Sequence, residues 1–389
     1  MRDAVILSAC RTPIGRFQGG LGGFTAPQLG SIAITEAVQR AGIEPAQVDE
    51  VILGCVLQGG LGQNPARQAA RGASIPDEVG SFAVNKVCGS GLKAVMLAAQ
   101  AVRAGDADLL VAGGMESMSN APYFIASARG GIRLGHGEIK DMMVHDGLWD
   151  PYNDVHMGET GELVAEKYEV TREDQDAFAA ESHRRAAEAA GAGRFQAEIV
   201  GVEIQPRKGD AWMLDADEGV REDASVEGLG KMRPAFRKDG TVTAGNASQL
   251  SDGASALVIA SAEKAEELGL EPLARINHYA TGGLAPEWVM MAPEVAVSKL
   301  CDAQGCAPTD FDAVEINEAF SSAAVALTRR MDLDAARVNA SGGAVALGHP
   351  IGASGARVLT TLLHRMGEGD AKSGLATLCL GGGNAVALS

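Results

Sequence analysis

Apolar runs alternate along the chain with segments that have the spacing of amphipathic helices. AVILSA (4–9) is followed by a helical pattern at 30–42, and VDEVILGCV (48–56) precedes a helical pattern that begins after residue 88. A further apolar run, ADLLVAGG, occupies residues 107–114. This alternation predicts βαβ units and an α/β fold, with a mostly parallel sheet that is covered on both faces.

The C-terminal part of the chain repeats this pattern. FDAVEINEAF resembles VDEVILGCVL, and Asp312 of the later segment follows Asp49 of the earlier one by 263 residues (312 minus 49). The helical pattern that begins at residue 354 and the apolar run after it resemble those that begin at residue 91. Two copies of one fold within the chain explain this self-similarity.

The stretch between the two copies has a different character. It contains a glycine-rich loop at 128–141 and a long polar helical pattern at 171–193, which opens with the capping-box residues Thr171 and Asp174. It also contains a basic segment, KMRPAFRK (231–238). We therefore predict three parts: 1–117 plus 250–270 as the first copy, 118–249 as an inserted loop domain, and 271–389 as the second copy.

Composition and charge exclude several classes of protein. A chain of 389 residues with 46% apolar and 21% charged residues is typical of a globular protein of two or three domains. Its formal charge of −17 argues against a nucleic-acid partner. No apolar stretch approaches the roughly 18 residues of a membrane helix, so we expect no membrane partner.

The six cysteines are scattered and contain no CxxC pair or nearby histidine at ligand spacing. This distribution predicts reduced thiols, no metal site and a cytoplasmic location.

Cys88 is the first candidate for chemistry. It immediately precedes a predicted helix, where the helix dipole is expected to lower the pKa of a thiol and favour the reactive thiolate. Glycines at 89 and 91 leave room for another segment to approach. Taken alone, however, a cysteine in this position is more often a buried structural residue.

Three later segments carry further candidates. Cys379 is at the C-terminal end of a predicted apolar strand and is followed by three glycines. In open parallel sheets, ligands bind at this end of the strands. His349 is held between a glycine and a proline, and Asn317 follows a strand. Each of these residues alone has an ordinary structural explanation, such as a tight turn or a local backbone hydrogen bond.

Together these segments resemble the thiolases. The shared motifs are NKVCGSG, NEAF, GHPIGASG and CLGGG, together with GGMESMS, HMGETGE and RPAFRKDGTVTAGNASQLSDGA, so the resemblance covers essentially the whole chain. It implies a five-layered αβαβα core built from two similar halves, with an inserted loop domain. It also implies an acetyl-CoA C-acetyltransferase, which joins two acetyl-CoA molecules into acetoacetyl-CoA and CoA, or cleaves a 3-oxoacyl-CoA with CoA.

The resemblance also implies roles for individual residues. Cys88 is expected to be the nucleophile, His349 to assist its deprotonation, and Cys379 to act as the general base or acid. Asn317 is expected to hold a water molecule that, with His349, stabilises an enolate. The backbone NH groups of Cys88 and Gly381 are expected to form a second oxyanion hole.

Coenzyme A thioesters are the expected substrates, and no cofactor is expected. The resemblance places Ser248 at the pantetheine, Arg221 at the nucleotide, and His156 and Met157 at the acyl group. Val289 falls where short-chain members of the family have a pocket methionine, which leaves the chain-length preference open. The loop at 128–143 resembles one that joins two dimers, so a homotetramer is expected.

Three alternatives remain at this stage. A degradative 3-oxoacyl-CoA thiolase of fatty-acid β-oxidation would have the same catalytic residues and accept longer chains. A decarboxylating ketoacyl synthase would have a second histidine where this chain has Asn317. A non-catalytic, lipid-binding protein of the same fold would have no use for all four reactive positions.

Overall fold

Two β-sheets with corresponding strand orders form the framework of the molecule, described here from a computed structural model. The structure describes residues 2–206 and 208–389; Met1, in the predicted first copy, and Arg207, in the predicted insertion, lie outside the described residues.

The helices and strands are numbered in chain order. The α-helices among the described residues are α1 (Ala26–Ala41), α2 (Pro65–Gly72), α3 (Ser90–Ala104), α4 (Met157–Lys167), α5 (Arg172–Gly191), α6 (Val226–Gly230), α7 (Ala262–Leu268), α8 (Ala292–Gln304), α9 (Ser321–Arg330), α10 (Ala344–Leu347) and α11 (Ile351–Gly367). The strands are β1 (Ala4–Arg11), β2 (Gly15–Arg16), β3 (Glu50–Gly54), β4 (Gly80–Val84), β5 (Leu109–Ser117), β6 (Tyr123–Phe124), β7 (Lys140–Asp141), β8 (Trp149–Asp150), β9 (Val155–His156), β10 (Val202–Ile204), β11 (Trp212–Leu214), β12 (Ser251–Ser261), β13 (Ala274–Arg275), β14 (Tyr279–Gly283), β15 (Ala313–Ile316), β16 (Gly374–Leu380) and β17 (Asn384–Leu388).

The first sheet has the order β13-β1-β12-β5-β3-β4, with β2 paired to β12, and the second has the order β14-β17-β16-β15. In each sheet, three neighbouring strands (β1, β12 and β5, or β14, β17 and β16) are antiparallel, and the next strand (β3 or β15) is parallel. The predicted repeat is thus confirmed, because β3 and β15 hold equivalent places. The prediction of a mostly parallel sheet was wrong. One reason is the tight glycine turn between β16 and β17, which forces these strands to run in opposite directions.

Alternation along the strands produces a layered core. In β1, Val5 and Leu7 pack with helices α1 and α2, whereas Ala4 and Ile6 point to the other face, towards α3 and α11. The second sheet packs on the far side of α3 and α11, and its outer face carries α8 and α9. The result is the expected five-layered αβαβα arrangement, which buries both helices that follow the candidate residues Cys88 and His349.

The segment between β5 and β12 contains α4, α5, α6 and strands β6 to β11. The capping box at Thr171 and Asp174 is present at the start of α5, as predicted. Strand β13 lies beyond the predicted boundary at residue 270 but pairs with β1 of the first sheet. The exact borders of the three predicted parts stay a prediction.

Candidate active site

Cys88 lies in the short connection between β4 and α3, directly before Gly89, the N-cap residue of the helix. Ser90 stabilises this connection: its Oγ accepts a hydrogen bond from the NH of Lys86 (2.8 Å) and donates to the carbonyl oxygen of Val87 (2.6 Å). Val87 has a φ of 47°, a conformation that is rare for a β-branched residue. The backbone on both sides of the thiol is therefore fixed by local hydrogen bonds.

The two glycines beside Cys88 face the second half of the chain. A Cβ atom on Gly89 would collide with the side chain of Leu380 in β16, and one on Gly91 would lie 2.7 Å from the nitrogen of Ala356 in α11. The expectation that these glycines permit a close approach is confirmed.

A single cavity of about 400 Å³ opens beside the thiol. Its wall is mostly apolar. Seven of the nine residues proposed from the sequence line it: Cys88, His156, Met157, Ser248, His349, Cys379 and Gly381. Asn317 is behind this wall, in contact with His349, and Arg221 is outside the lining.

The imidazole of His349 is buried and oriented by hydrogen bonds. Its Nδ1 lies 2.6 Å from the Oγ of Ser354, and this hydroxyl donates to the carbonyl oxygen of Pro350 at 2.9 Å. The hydrogen bonds therefore assign the proton of the neutral ring to Nδ1 and leave Nε2 as the acceptor. Burial, with a smaller effect of the positive charge of Arg357, lowers the pKa of His349 to about 3. The ring is thus a neutral proton acceptor at neutral pH.

The pKa of Cys88 differs from the one predicted from the sequence. Burial raises the pKa of its thiol to about 12, although the NH groups of Gly381 and of Cys88 itself donate to the sulfur and act in the opposite direction. The predicted lowering of the pKa was wrong, because desolvation outweighs the effect of the helix terminus. The residue still has access to solvent through the cavity. The thiol is therefore neutral at rest and needs a base.

Cys379 is the second-to-last residue of β16, as its motif predicted. Its Sγ is buried and lies 3.7 Å from the Sδ of Met290. Burial, and to a lesser degree the neighbouring Cys88, raises the pKa of this thiol well above its ordinary value. Because each thiol opposes ionisation of the other, the site favours one thiolate at a time.

Asn317 follows β15 and donates its backbone NH to the carbonyl oxygen of Thr377 in β16 (3.1 Å). Its Nδ2 lies 3.4 Å from Nε2 of His349. Within the described part of the chain, its buried Oδ1 has no hydrogen-bond partner. A buried amide oxygen of this kind ordinarily binds a water molecule.

The remaining candidates divide between the cavity wall and its surroundings. His156 accepts the NH of Gly158 at Nδ1 (3.1 Å), and its ring stacks on Phe236 with centroids 4.9 Å apart. Ser248 donates its backbone NH to the carbonyl oxygen of Ala319 (3.0 Å). Arg221 is exposed and lies two residues after Gly219, whose carbonyl oxygen accepts a hydrogen bond from the cavity residue Gln249 (2.9 Å).

Three residues of the site were missed in the sequence. Ser354 lies within GHPIGASG, and its position five residues after His349 was a usable signal. Met290 is next to Val289, and both line the cavity, so a methionine does contact the reactive end of the pocket. Glu116 lies within GGMESMS, where nothing in the sequence distinguishes a buried carboxylate from an exposed one.

The described residues present neither a cluster of metal ligands nor a helix suited to crossing a membrane. Among residues 2–206 and 208–389, no group of three or more His, Cys, Asp or Glu side chains is placed to hold a metal ion. In the same residues, none of the helices has the length and apolar character needed to cross a membrane.

The sequence matches two family descriptions, "Thiolase, N-terminal domain" over residues 4–263 and "Thiolase, C-terminal domain" over residues 270–389. Acetyl-CoA acetyltransferases of Pseudomonas aeruginosa and Cupriavidus necator are 54% and 53% identical, over 100% of this chain and 99% of each relative. The crystal structure of the Bacillus anthracis acetyl-CoA acetyltransferase superposes with a TM-score of 0.98 at 44% identity, covering 100% of this chain and 98% of that one. The chain therefore belongs to the thiolase family.

Proposed function

We propose that the protein is an acetyl-CoA C-acetyltransferase that condenses two acetyl-CoA molecules into acetoacetyl-CoA and CoA, and catalyses the reverse thiolysis. One observation carries this proposal: Cys88, His349, Cys379 and Gly381 meet at one apolar cavity. Two thiols and a neutral imidazole provide a nucleophile and two sites for proton transfer, which a two-step acyl transfer requires. The names of the relatives support the same activity.

In the first step, the thiol of Cys88 attacks the thioester carbonyl of acetyl-CoA while its proton passes to Nε2 of His349. The negative charge on the carbonyl oxygen is stabilised by the NH groups of Cys88 and Gly381, which already point at the sulfur. The tetrahedral intermediate then expels the CoA thiolate, which receives the proton from His349. The products are acetyl-Cys88 and free CoA.

In the second step, the thiol of Cys379 passes its proton to Nε2 of His349, and the resulting thiolate removes a proton from the α-carbon of another acetyl-CoA. The enolate oxygen is stabilised by Nε2 of His349, now carrying a proton, and by a water molecule bound to Oδ1 of Asn317. The carbanion attacks the acetyl carbonyl on Cys88, and Cys88 leaves as a thiolate. Acetoacetyl-CoA is released, and His349 passes its proton to Cys88, so that both thiols are protonated and the imidazole is neutral again.

For the substrate CoA, we assign the pantetheine to Ser248 and the nucleotide to Arg221. His156 and Met157 are assigned to the wall around the acyl group. Ser248 lines the cavity, whereas Arg221 is exposed and lies outside the lining, which supports this order from the inside outwards.

In a chain of charge −17, the exposed Arg233 and Lys238 of the segment 231–238 supply a local positive potential for the phosphates of CoA. The other two basic residues of this segment, Lys231 and Arg237, are paired with glutamates.

The position of Met290 favours a short acyl group over the longer chains of a β-oxidation thiolase. Its sulfur is in contact with Cys379 and occupies space that a longer chain would need. The test is a comparison of kcat/KM in thiolysis for acetoacetyl-CoA and a ten-carbon 3-oxoacyl-CoA. A preference for acetoacetyl-CoA supports the proposal, and a preference for the longer substrate would favour the alternative.

A homotetramer, assembled as a dimer of dimers, is the proposed assembly. The loop that contains β6 and β7 carries exposed apolar side chains, of which Leu134 is 98% exposed and Ile139 is 68% exposed. An exposed apolar patch is typical of an interaction surface. Light scattering should give the mass of four chains, and Leu134→Asp combined with Ile139→Asp should reduce it to two.

A further inference from the structure

Glu116, near the end of β5, is a fully buried carboxylate that the proposed mechanism does not use. It accepts three backbone hydrogen bonds: from Val56 (3.1 Å) and Gly352 (2.9 Å) at Oε2, and from Leu57 (3.2 Å) at Oε1. Burying a carboxylate is costly unless hydrogen bonds compensate it. A residue of this kind in an apolar layer therefore indicates a specific task.

The backbone groups that Glu116 binds lie next to the site: Gly352 directly follows Ile351, which lines the cavity. Gly352 is the second residue of α11 and follows His349 by three positions. Proline occupies the N-cap of this helix and has no polar side chain to cap it, so Glu116 supplies the cap from another element. The side chains of Ile351 and Leu57 pack together beside Cys88.

The surrounding elements meet at backbone contact. A Cβ atom on Gly54, the last residue of β3, would lie 2.6 Å from both the carbonyl oxygen of Gly352 and the nitrogen of Gly91. A Cβ atom on Gly352 would lie 2.7 Å from the carbonyl oxygen of Met115. The helix that follows Cys88 and the helix that follows His349 thus share one glycine-lined junction, and Glu116 is its hydrogen-bonding centre.

The charge of Glu116 argues for a role in position rather than in thiol activation. Burial raises the pKa of Glu116 to about 7, and the negative charge of its ionised form raises the pKa of Cys88, which opposes thiolate formation. If ionisation of the thiol were the purpose, a neutral side chain of the same length would serve better. The contribution of Glu116 to the site is therefore its three hydrogen bonds, which connect β5 to α11 and to the segment that follows β3.

We propose that Glu116 is a positioning residue that fixes the start of α11, and with it the imidazole of His349, relative to the thiol of Cys88. The inference rests on the proposed function, since it assigns a role within the same acyl-transfer site.

The test compares Glu116→Gln with Glu198→Gln. In the wild type, both carboxylate oxygens of Glu116 accept backbone NH groups. The amide of Glu116→Gln has only one oxygen, so its NH₂ group must face a backbone NH donor, and we expect the junction to shift. Glu198 is equally buried, but its side-chain partners are Arg11 and Thr361, a residue further along α11, and none of these three residues lines the cavity. Two rates are measured below the unfolding temperature of both variants: alkylation of Cys88 by iodoacetamide, and transfer of acetyl from acetyl-CoA to Cys88.

We expect Glu116→Gln to slow both rates roughly 10- to 100-fold, because small displacements of reacting groups have effects of this size. Glu198→Gln should lose thermal stability but keep both rates within about twofold of the wild type, as expected for a distant site. Should Glu116→Gln not fold, Glu116→Asp gives the same comparison, since it keeps the charge but withdraws the carboxylate from Gly352.

Wild-type rates in the Glu116 variants, or equal slowing in the Glu198 control, would overturn the inference. The alkylation rate separates it from the proposed function, because iodoacetamide needs no CoA site. If the wild type is alkylated in a Glu116-dependent way but is never acetylated, the inference stands and the proposed function fails.

Discussion

The Nδ1 atom of His349 and the Oγ atom of Ser354 are 2.6 Å apart across the first turn of α11. Since the hydroxyl donates to Pro350, the imidazole must donate to the hydroxyl, and its Nε2 faces Asn317 as an acceptor. One serine therefore sets the tautomer that allows His349 to take a proton from Cys88.

Replacing Ser354 with alanine should reduce kcat about 10- to 100-fold, a part of what a general base contributes. KM for acetyl-CoA should change little, because Ser354 does not line the cavity. Thr360→Val is the matched control: it also removes a buried hydroxyl from α11, but that hydroxyl contacts Ser255 (2.9 Å). Steady-state kinetics of both variants measure the effect. An equal decrease of kcat in the two variants would contradict the role assigned to Ser354.

The pH profile of activity should lack the decrease at acidic pH that protonation of an ordinary histidine produces. The pKa of His349 is lowered from 6.5 to about 3, so the neutral, proton-accepting form persists as the pH falls through 6.5. We expect the rate of Cys88 alkylation to show no decrease centred near pH 6.5. The profile between pH 5 and 8 is measured with iodoacetamide on protein shown to be folded. Burial raises the pKa of Glu116 to about 7, so the profile is also measured in Glu116→Gln. A midpoint near 6.5 that persists in this variant would mean that His349 titrates as an exposed histidine.

Cys379→Ala should separate the two chemical steps. The variant keeps Cys88 and His349, so acetyl-CoA should still acetylate Cys88 and release one equivalent of CoA. Condensation should fall roughly 10³-fold, because the α-carbon loses its base. A stopped-flow assay of CoA release followed by product analysis distinguishes the two. Loss of the first release of CoA would place Cys379 in the first step instead.

Met290→Ala should widen the acyl end of the cavity. We expect the ratio of kcat/KM for a six-carbon 3-oxoacyl-CoA over that for acetoacetyl-CoA to rise about tenfold, within the range that a few methylene groups provide in an apolar pocket. Met291→Ala is the matched control, since Met291 is equally buried but does not line the cavity. The same ratio in both variants would show that Met290 does not limit the chain length.

The sequence was sufficient for the layered fold and for candidate residues that the structure brings to one cavity. Cys88, His349 and Cys379 were chosen as candidates because their motifs, taken together, resemble those of the thiolases. The repeat was visible because β3 and β15 carry the same apolar pattern. The direction of the strands could not be predicted in the same way. Periodicity shows which faces of a strand are buried, but it gives no information about which strands are neighbours or how they are oriented.

The properties of the site that depend on distant contacts could not be predicted. The pKa of Cys88 was predicted in the wrong direction, because a local helix terminus is visible in the sequence and burial by the second half is not. Glu116 is recognisable as a structural centre only once β3, β5 and α11 are assembled. The pocket methionine was expected at position 289, and Met290, one residue later, is the methionine that lines the cavity. This difference is visible only once the cavity has been assembled.

The central claim is that Cys88 accepts the acetyl group of acetyl-CoA. The most direct measurement is peptide mass spectrometry of the protein after incubation with acetyl-CoA alone, with Cys88→Ala as the control. We predict the mass of one acetyl group on the peptide that contains Cys88, release of free CoA, and neither in the control. An unmodified Cys88 with no CoA released, or acetylation of Cys379 in its place, would contradict the account.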